Sequence, residues 1–460
     1  MRTWAFFLAA LGIGLMLFLL CLSARNDYLF FAGFVVLQYV VLGTAWNILG
    51  GYCGYVNFGT AAFFALGAYS SVALHKLGAN INRYASGFLA DLLHLVLPLP
   101  MPALMLVGGI VSGVIGLGMG YLTLRLRGVF FSIATLAMAV VLQTLMINWD
   151  FVGGSRGAYV IRPEKIALGP VSLGYIEYLF LVMLVLAVLT LTAARLIERS
   201  RLGFGFATIR DDEMAAEAAG VPTLQLKLIA TTISGALMGM AGAPLPYYLG
   251  YVEPSATFGL PYAVNSIAMP MIGGTTTWAG PLIGAVLLGS LQQIATVTIS
   301  SAVNLLLVGG LLGVFVTIAP MGIIGMVQDF LRAAAPRRLD ARALVVIAIA
   351  GYAFLSGILG IMVGLSLFTA YAGLAVLAAL SLAAGLNLAA AYGLLKVRHW
   401  GPLLATAASA AALVTLQWWP LSTALWAAMM AMSVATIGYL QVGGVKKVYQ
   451  QQLGEPRPAS

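Results

Sequence analysis

The chain has 460 residues, of which 62% are hydrophobic and only 8% are charged. A soluble domain carries roughly 25% charged residues, so this composition excludes a soluble enzyme and indicates a polytopic membrane protein. The 23 Lys and Arg residues exceed the 14 Asp and Glu residues, but they are scattered at the ends of apolar runs, which is typical of topology signals and not of a nucleic-acid surface.

The continuous apolar runs predict about fourteen membrane-spanning helices, because about 20 apolar residues cross a bilayer. The first ten runs lie at residues 3–24, 28–49, 57–77, 101–124, 129–149, 175–195, 228–250, 258–272, 278–298 and 303–327. Four more lie at residues 343–366, 369–393, 401–419 and 421–442. The eighth run is too short for a full crossing and is expected to be re-entrant. The predicted fold is therefore an all-α polytopic membrane protein.

A break in composition divides the chain into a larger and a smaller membrane module. We expect a transmembrane domain at residues 1–332, a basic cytoplasmic linker at 333–342, an additional transmembrane module at 343–445 and a disordered cytoplasmic tail at 446–460. The first apolar run is longer than a signal-peptide core and is expected to be a retained span. Most Lys and Arg residues fall on one side if the N-terminus is inside, so both termini are predicted to be cytoplasmic.

The predicted spans have no Asp or Glu at their centres. Ion-coupled carriers usually keep an ionisable group on the ion path, so this pattern disfavours an ion-coupled transporter or channel, which stays as the alternative. The sequence has no P-loop motif, so the energy source must be a partner subunit or a gradient. The three His residues are far apart, and no metal site or catalytic constellation is expected.

A charged loop separates the sixth and seventh predicted spans. Acidic residues at its centre, followed by good helix formers and then by Gly220 and Pro222, predict a short helix. Two interpretations are open: a solvated surface loop, or a docking helix for a cytoplasmic partner. The candidate docking residues are Arg210, Asp211, Asp212, Glu213, Glu217, Ala218, Ala219 and Gly220.

Five segments of this sequence resemble one family of permeases. Residues 209–220 are similar to the Glu-Ala-Ala loop of ATP-binding-cassette (ABC) importer permeases, specifically the LivM-like subunit of the branched-chain amino-acid permease family. Four further blocks agree with that family, at residues 51–69, 122–137, 153–157 and 273–281. The resemblance covers residues 28–330 in the right order. The four spans after Arg342 have no place in the usual permease.

The resemblance implies a bacterial inner-membrane importer of branched-chain amino acids or related small amino acids and amides. In such an importer this chain pairs with a second homologous permease. A periplasmic binding protein delivers the substrate, and two cytoplasmic ATPase subunits dock at the Glu-Ala-Ala loop, with Glu217 as the anchoring acid and Gly220 as the helix stop. The chain itself is then not an enzyme and holds no cofactor, because ATP and Mg²⁺ belong to the ATPase subunits. Membrane lipid is an expected partner and nucleic acid is not.

Several polar residues within the predicted spans are candidates for the translocation pathway. For each of them the alternative is a hydrogen bond between helices, worth about 1 kcal/mol. The candidates are Asn47, Asn57, Thr60, Tyr69, Gln143, Asn148, Asn265 and Gln292.

Overall fold

The computed structural model describes residues 3–24, 26–81, 97–168, 171–298, 309, 322–334, 374–395, 401–415 and 431–437, together with single helical positions between 349 and 356. Contacts divide the chain into two compact units. The first unit comprises Met1–Gln293 with Leu307–Gly322, and the second comprises Ile294–Leu306 with Ile323–Ser460. The described residues are predominantly helical, which confirms the predicted all-α class.

The first half of the chain forms long helices and two pieces of β-structure. In chain order its elements are α1 (Thr3–Ala24), α2 (Asp27–Asn47), a π-helical turn (Ile48–Tyr52), α3 (Thr60–Ala79), α4 (Met101–Thr123), α5 (Val129–Ile147), β1 (Ala158–Tyr159), β2 (Lys165–Leu168), β3 (Val171–Gly174) and α6 (Tyr175–Glu198). Strands β2 and β3 form an antiparallel hairpin that leads directly into α6.

The remaining elements of the described chain include several short helices. They are α7 (Arg201–Asp211), α8 (Glu213–Ala218), α9 (Thr223–Gly242), α10 (Leu245–Leu249), β4 (Tyr251–Val252), α11 (Pro254–Thr257), α12 (Leu260–Gly273), α13 (Ala279–Thr298), α14 (Gly322–Ala334), α15 (Leu374–Leu395) and α16 (Gly401–Thr415). Strand β4 pairs antiparallel with β1. Tyr247, shortly before β4, lies beside Tyr175 at the start of α6, with ring centroids 6.2 Å apart.

Six helical segments in the described part of the chain are long and apolar enough to cross a membrane. They are Thr3–Ser23, Asp27–Tyr52, Met101–Thr123, Val129–Ile147, Tyr175–Glu198 and Thr223–Leu249. Each coincides with one of the predicted spans, so the chain is a multi-pass membrane protein. The predicted eighth span is the 14-residue helix α12, about 21 Å long at 1.5 Å per residue, which is short of a roughly 30 Å hydrocarbon core.

The predicted boundaries of α6 and α9 differ from the structure. Helix α6 continues to Glu198 instead of ending at residue 195. Helix α9 begins at Thr223 instead of residue 228, and it ends at Gly242, before Pro244. The apolar pattern missed the last turn of α6 and the first turn of α9, because these turns are polar but still helical. As a result Arg195 and Lys227 lie inside helices and not in loops.

Helix α2 ends in a break, which we call the α2–α3 break (residues 48–59). Gly54 has a φ of +80°, a conformation that favours glycine. A second break follows α12, where Gly274 has a φ of +122°. The two breaks touch, because the Asn47 side-chain amide donates to the Thr277 carbonyl oxygen (3.4 Å). A Cβ atom on Gly51 would overlap with the Thr275 carbonyl oxygen.

Small residues allow the central helices of the first unit to pack closely. A Cβ atom on Gly67 of α3 would overlap with the backbone of Gly239 in α9, and one on Gly242 would overlap with the Phe64 carbonyl oxygen. Helix α4 joins this group through Ser112, whose hydroxyl donates to the Phe63 carbonyl oxygen (2.9 Å). Such contacts between backbones are the usual basis of helix association in membranes. Helices α3, α4 and α9 therefore form the centre of the first unit.

In the second unit, helices α15 and α16 pack against each other. The side chain of Ser356 donates to Asn387 on α15 (3.1 Å), and a further helical stretch occurs at residues 431–437. Helix α14 covers the end of the predicted tenth span and the first residues of the predicted linker. Most of the tenth span, the rest of the linker, most of the span at 343–366 and the predicted tail at 446–460 lie outside the described residues.

Candidate functional site

The predicted short helix is present as α8, and its ends have clear local causes. The Asp212 carboxylate caps the helix by accepting from the backbone N–H groups of Met214 (2.9 Å) and Ala215 (3.1 Å). Gly220 has a φ of +84°, which ends the helix, and Pro222 follows. A second helix, α7, precedes α8 and was not predicted; Arg210 and Asp211 belong to it.

A buried ion pair attaches α8 to the membrane helices. The Lys227 ammonium donates to Glu213 Oε1 (2.6 Å), and the two side chains are only 4% and 13% exposed. The Tyr55 hydroxyl, from the α2–α3 break, donates to the other oxygen of the same carboxylate. Lys227 also donates to Tyr55 Oη and to the Leu124 carbonyl oxygen, each at 3.1 Å. The ammonium group therefore makes three hydrogen bonds, and the buried charge is compensated.

A half-exposed ion pair lies beside the buried one. Glu217 Oε2 accepts from Arg127 Nη2 (2.9 Å), and Glu217 Oε1 accepts from the Thr223 hydroxyl (2.9 Å). Arg127 Nε also lies 3.8 Å from Glu213 Oε1. Glu217 thus contacts the α4–α5 loop and the start of α9. Both acids attach α8 to the rest of the fold. Glu213 is more deeply buried than Glu217, the residue expected to anchor the helix.

The electrostatics of Glu213 follow from these contacts. Burial by itself would raise the pKa of the Glu213 carboxyl group. Hydrogen bonds from Lys227 and Tyr55, with the positive charges of Lys227 and Arg127, outweigh burial and lower this pKa below its ordinary value of 4.5. Burial and the hydrogen bond to Glu213 raise the pKa of Tyr55. Glu213 is therefore ionised and Tyr55 is neutral at physiological pH.

The exposed residues of α7 and α8 include two large apolar side chains among charged ones. Met214 is 68% exposed and Phe204 of α7 is 70% exposed. Ala215, Ala218 and Ala219 around Met214 are also exposed. Met214 and Phe204 are therefore accessible at the surface of this segment.

A second polar group lies where α6 meets α7. The Glu198 carboxylate accepts from the backbone N–H of Trp278 (2.8 Å) and lies 3.4 Å from the Tyr52 hydroxyl. The guanidinium carbon of Arg195 is centred 4.1 Å from the Phe6 ring and 5.6 Å from the Trp278 ring. This cation–π arrangement joins α1, α6 and the break after α12 at one place.

The structure buries six of the eight candidate pathway residues. These are Asn47, Asn57, Thr60, Tyr69, Asn265 and Gln292. Gln143 is only half-buried on α5. Asn148 is exposed and bonds locally to the Thr144 carbonyl oxygen (2.8 Å). Asn148 is therefore a helix-end residue and not part of the buried set.

Three of these buried residues, Thr60, Asn265 and Gln292, contribute to polar contacts between helices α2, α3, α12 and α13. Gln292 donates to Asn265 (2.8 Å), and Asn265 donates to the Tyr39 hydroxyl (3.1 Å). The Ser266 hydroxyl donates to Thr60 Oγ1 (3.0 Å). All of these side chains are neutral, and their hydrogen bonds join the four helices.

Asn57, in the α2–α3 break, is also buried. Its side-chain carbonyl accepts from the Gly59 N–H (2.7 Å). Its amide nitrogen is buried and has no hydrogen-bond partner among the described residues. An unpaired buried donor costs about 1–3 kcal/mol.

The sequence reasoning missed Lys227, Tyr55 and Met214 as parts of the site. Lys227 carried a usable signal, because a Lys residue close to an apolar run commonly pairs with an acid. Tyr55 and Met214 carried no such signal. A Gly-rich block does not predict that Tyr55 contacts a distant residue, and a short helix does not predict that Met214 is exposed.

The sequence is similar to known transport proteins. Residues 28–317 match the family described as "Branched-chain amino acid transport system / permease component". The chain is 27% identical over 316 residues to the high-affinity branched-chain amino acid transport system permease protein LivM of Salmonella typhimurium, covering 64% of this chain and 69% of that relative. LivM of Escherichia coli is 26% identical over the same shares.

A third relative is also similar to this chain. The probable branched-chain amino acid transport permease protein LivH of Methanocaldococcus jannaschii is 25% identical over 283 residues, covering 59% of this chain and 83% of that relative. No solved structure matches the chain.

Proposed function

This chain belongs to the branched-chain amino acid transport system permease family, and from that premise we propose that it imports branched-chain amino acids or related small amino acids and amides. It is a transport subunit and not an enzyme. In the proposed importer it pairs with a second permease, receives substrate from a periplasmic binding protein and is driven by two cytoplasmic ATPase subunits. ATP and Mg²⁺ are bound by those subunits, and this chain holds no cofactor. The proposed location is the bacterial inner membrane, with both termini cytoplasmic.

The structure of α8 is the observation that supports a contact with the ATPase subunits. Its inner side is fixed to three other parts of the fold by Glu213 and Glu217. Its outer side presents Met214 and small alanines. A helix that is held rigidly and exposes an apolar side chain can receive a force from a docked protein, whereas a solvated loop cannot. Residues 210–220 are therefore the proposed docking site.

The proposed pathway follows the buried polar residues near the two helix breaks. Asn57, Thr60 and Asn265 offer neutral hydrogen-bonding groups. A zwitterionic solute is then held by amides and backbone dipoles and is released readily. Tight and selective capture is left to the binding protein.

Transport in a reconstituted system tests the proposal. The chain, its second permease and the ATPases are placed in proteoliposomes with ATP inside, and the binding protein is added outside with labelled leucine. Uptake that requires both ATP and the binding protein is the expected result. Uptake driven by an ion gradient in vesicles that lack the ATPases would refute the proposal and favour the ion-coupled alternative.

Docking is tested separately with a variant of the exposed face. Met214→Asp changes only an exposed side chain, so it should leave the chain folded and inserted but remove the ATPases from the purified complex. Glu164→Lys is a matched control, since Glu164 is exposed beyond the other end of α6. Full ATPase recovery with Met214→Asp would contradict the assignment of this face.

A further inference from the structure

We propose that the Tyr55 hydroxyl is the positioning group that couples movement of α8 to the translocation pathway through the α2–α3 break. The inference rests on the proposed function. It concerns a tyrosine that does not face the docking surface and is not one of the candidate pathway residues. Tyr55 acts through Glu213 on one side and through the backbone that leads to Asn57 on the other.

The first step is the contact between Tyr55 and α8. The hydroxyl donates to Glu213 Oε2 and also accepts from the Lys227 ammonium (3.1 Å). Because the pair is buried, water does not compete for these hydrogen bonds. A displacement of Glu213 with α8 therefore moves or releases the Tyr55 hydroxyl.

The second step is the short backbone path from Tyr55 to the pathway residues. The Val56 carbonyl oxygen accepts from the Ser132 hydroxyl (2.8 Å), and the Phe58 N–H donates to Thr135 Oγ1 (3.2 Å). The indole N–H of Trp46 donates to the Asn57 carbonyl oxygen (2.9 Å). Hydrogen bonds to α2 and α5 hold the segment from Val56 to Phe58. A movement at Tyr55 is passed on to Asn57, whose buried amide has no partner among the described residues, and then to the start of α3.

Helix α7 packs on the same break. Phe206 and Ile209 of α7 share an apolar core with Ile48 and Tyr55. Gly54 leaves room for the side chain of Arg210, whose Cγ would lie 3.1 Å from a Cβ atom at that position. The apolar core keeps α7 and the break together, while the Tyr55 hydroxyl gives the break a directional attachment to α8.

A second, longer contact supports the same role for the break. The Tyr52 hydroxyl lies 3.4 Å from Glu198 Oε2, at the other end of the α7–α8 segment. Two tyrosines of one break thus face two carboxylates that flank α7. The α2–α3 break is therefore attached at both ends of the α7–α8 segment.

Replacing tyrosine by phenylalanine isolates the hydroxyl groups. The Tyr55 ring packs edge-on against Phe131 with centroids 5.0 Å apart, and Tyr55→Phe keeps that contact. The variants are Tyr55→Phe, Tyr52→Phe and the double variant in the full importer. Tyr121→Phe is the control, because Tyr121 is exposed and its hydroxyl accepts a hydrogen bond from the nearby Arg125.

The readout is labelled leucine imported per ATP hydrolysed, with ATPase recovery and melting temperature measured on the same preparations. We expect Tyr55→Phe to lower the ratio about tenfold, as for loss of a hydrogen bond to a charged group, while the ATPases remain bound and active. Tyr52→Phe should have a smaller effect, and the double variant should be at least as uncoupled as Tyr55→Phe. Tyr121→Phe should keep the wild-type ratio.

An unchanged ratio in Tyr55→Phe would overturn the inference and leave the proposed function intact. Loss of bound ATPase in proportion to uptake would also overturn it, because the hydroxyl would then serve assembly and not coupling. If the wild-type importer shows no ATP-driven uptake, the proposed function itself fails, and the inference fails with it.

Discussion

Replacing Lys227 with methionine tests whether the buried pair holds α8 in place. Methionine keeps most of the length and volume of the side chain but removes the charge, so Glu213 loses its buried cationic partner. Removing one member of a buried pair costs about 3–5 kcal/mol. Glu213 keeps the Tyr55 hydrogen bond and has Arg127 Nε 3.8 Å away, which places the expected loss near the lower end, about 3 kcal/mol.

Thermal unfolding of the detergent-purified chain, followed by tryptophan fluorescence, measures this loss. At about 2 °C per kcal/mol for a large chain, the melting temperature should fall by about 6 °C. Adding Glu213→Gln to Lys227→Met should restore most of the loss, because no unpaired charge is then buried. Equal melting of wild type and Lys227→Met would refute the reasoning, and so would a further decrease in the double variant.

Three other outcomes are expected. Glu217→Lys should abolish uptake while leaving membrane insertion intact, and adding Arg127→Glu should recover part of the uptake; normal uptake by Glu217→Lys alone would contradict the anchoring role. The stabilisation from the lowered pKa of Glu213 is complete above pH 4.5 and is lost as the pH falls through the lower folded pKa, so melting temperatures should decline on acidification in wild type and less in Glu213→Gln. Gly67→Ala should prevent close packing of α3 on α9 and reduce the yield of folded chain, whereas Gly118→Ala, which has open space around it, should be neutral in the same expression assay.

The helices could be predicted from the sequence because their signals are local. An apolar run of bilayer length defines a span wherever it packs, so the spans of α1, α2, α4 and α5 were predicted within a few residues. The same is true of α8, whose cap and stop depend on Asp212, Gly220 and Pro222 alone. Errors arose where polar turns continue a helix, as at the end of α6 and the start of α9.

The family was also accessible from the sequence, because ordered short blocks from residue 28 to 330 resemble its members. The candidate site was only partly predictable. Asn265 and Asn148 are chemically identical, yet one is buried between helices and the other is exposed on a helix end. Composition cannot separate them, since burial depends on which helix faces pack.

The sequence by itself determined that this is a multi-pass helical membrane protein with a short charged helix between two spans. Only the tertiary structure decided what that helix touches. Tyr55 and Lys227 are 172 positions apart in the chain, and their contact on Glu213 exists only because the α2–α3 break, α8 and α9 converge. Residues so distant leave no periodic or spacing signal, because their proximity results from the packing of whole helices and not from local backbone preference.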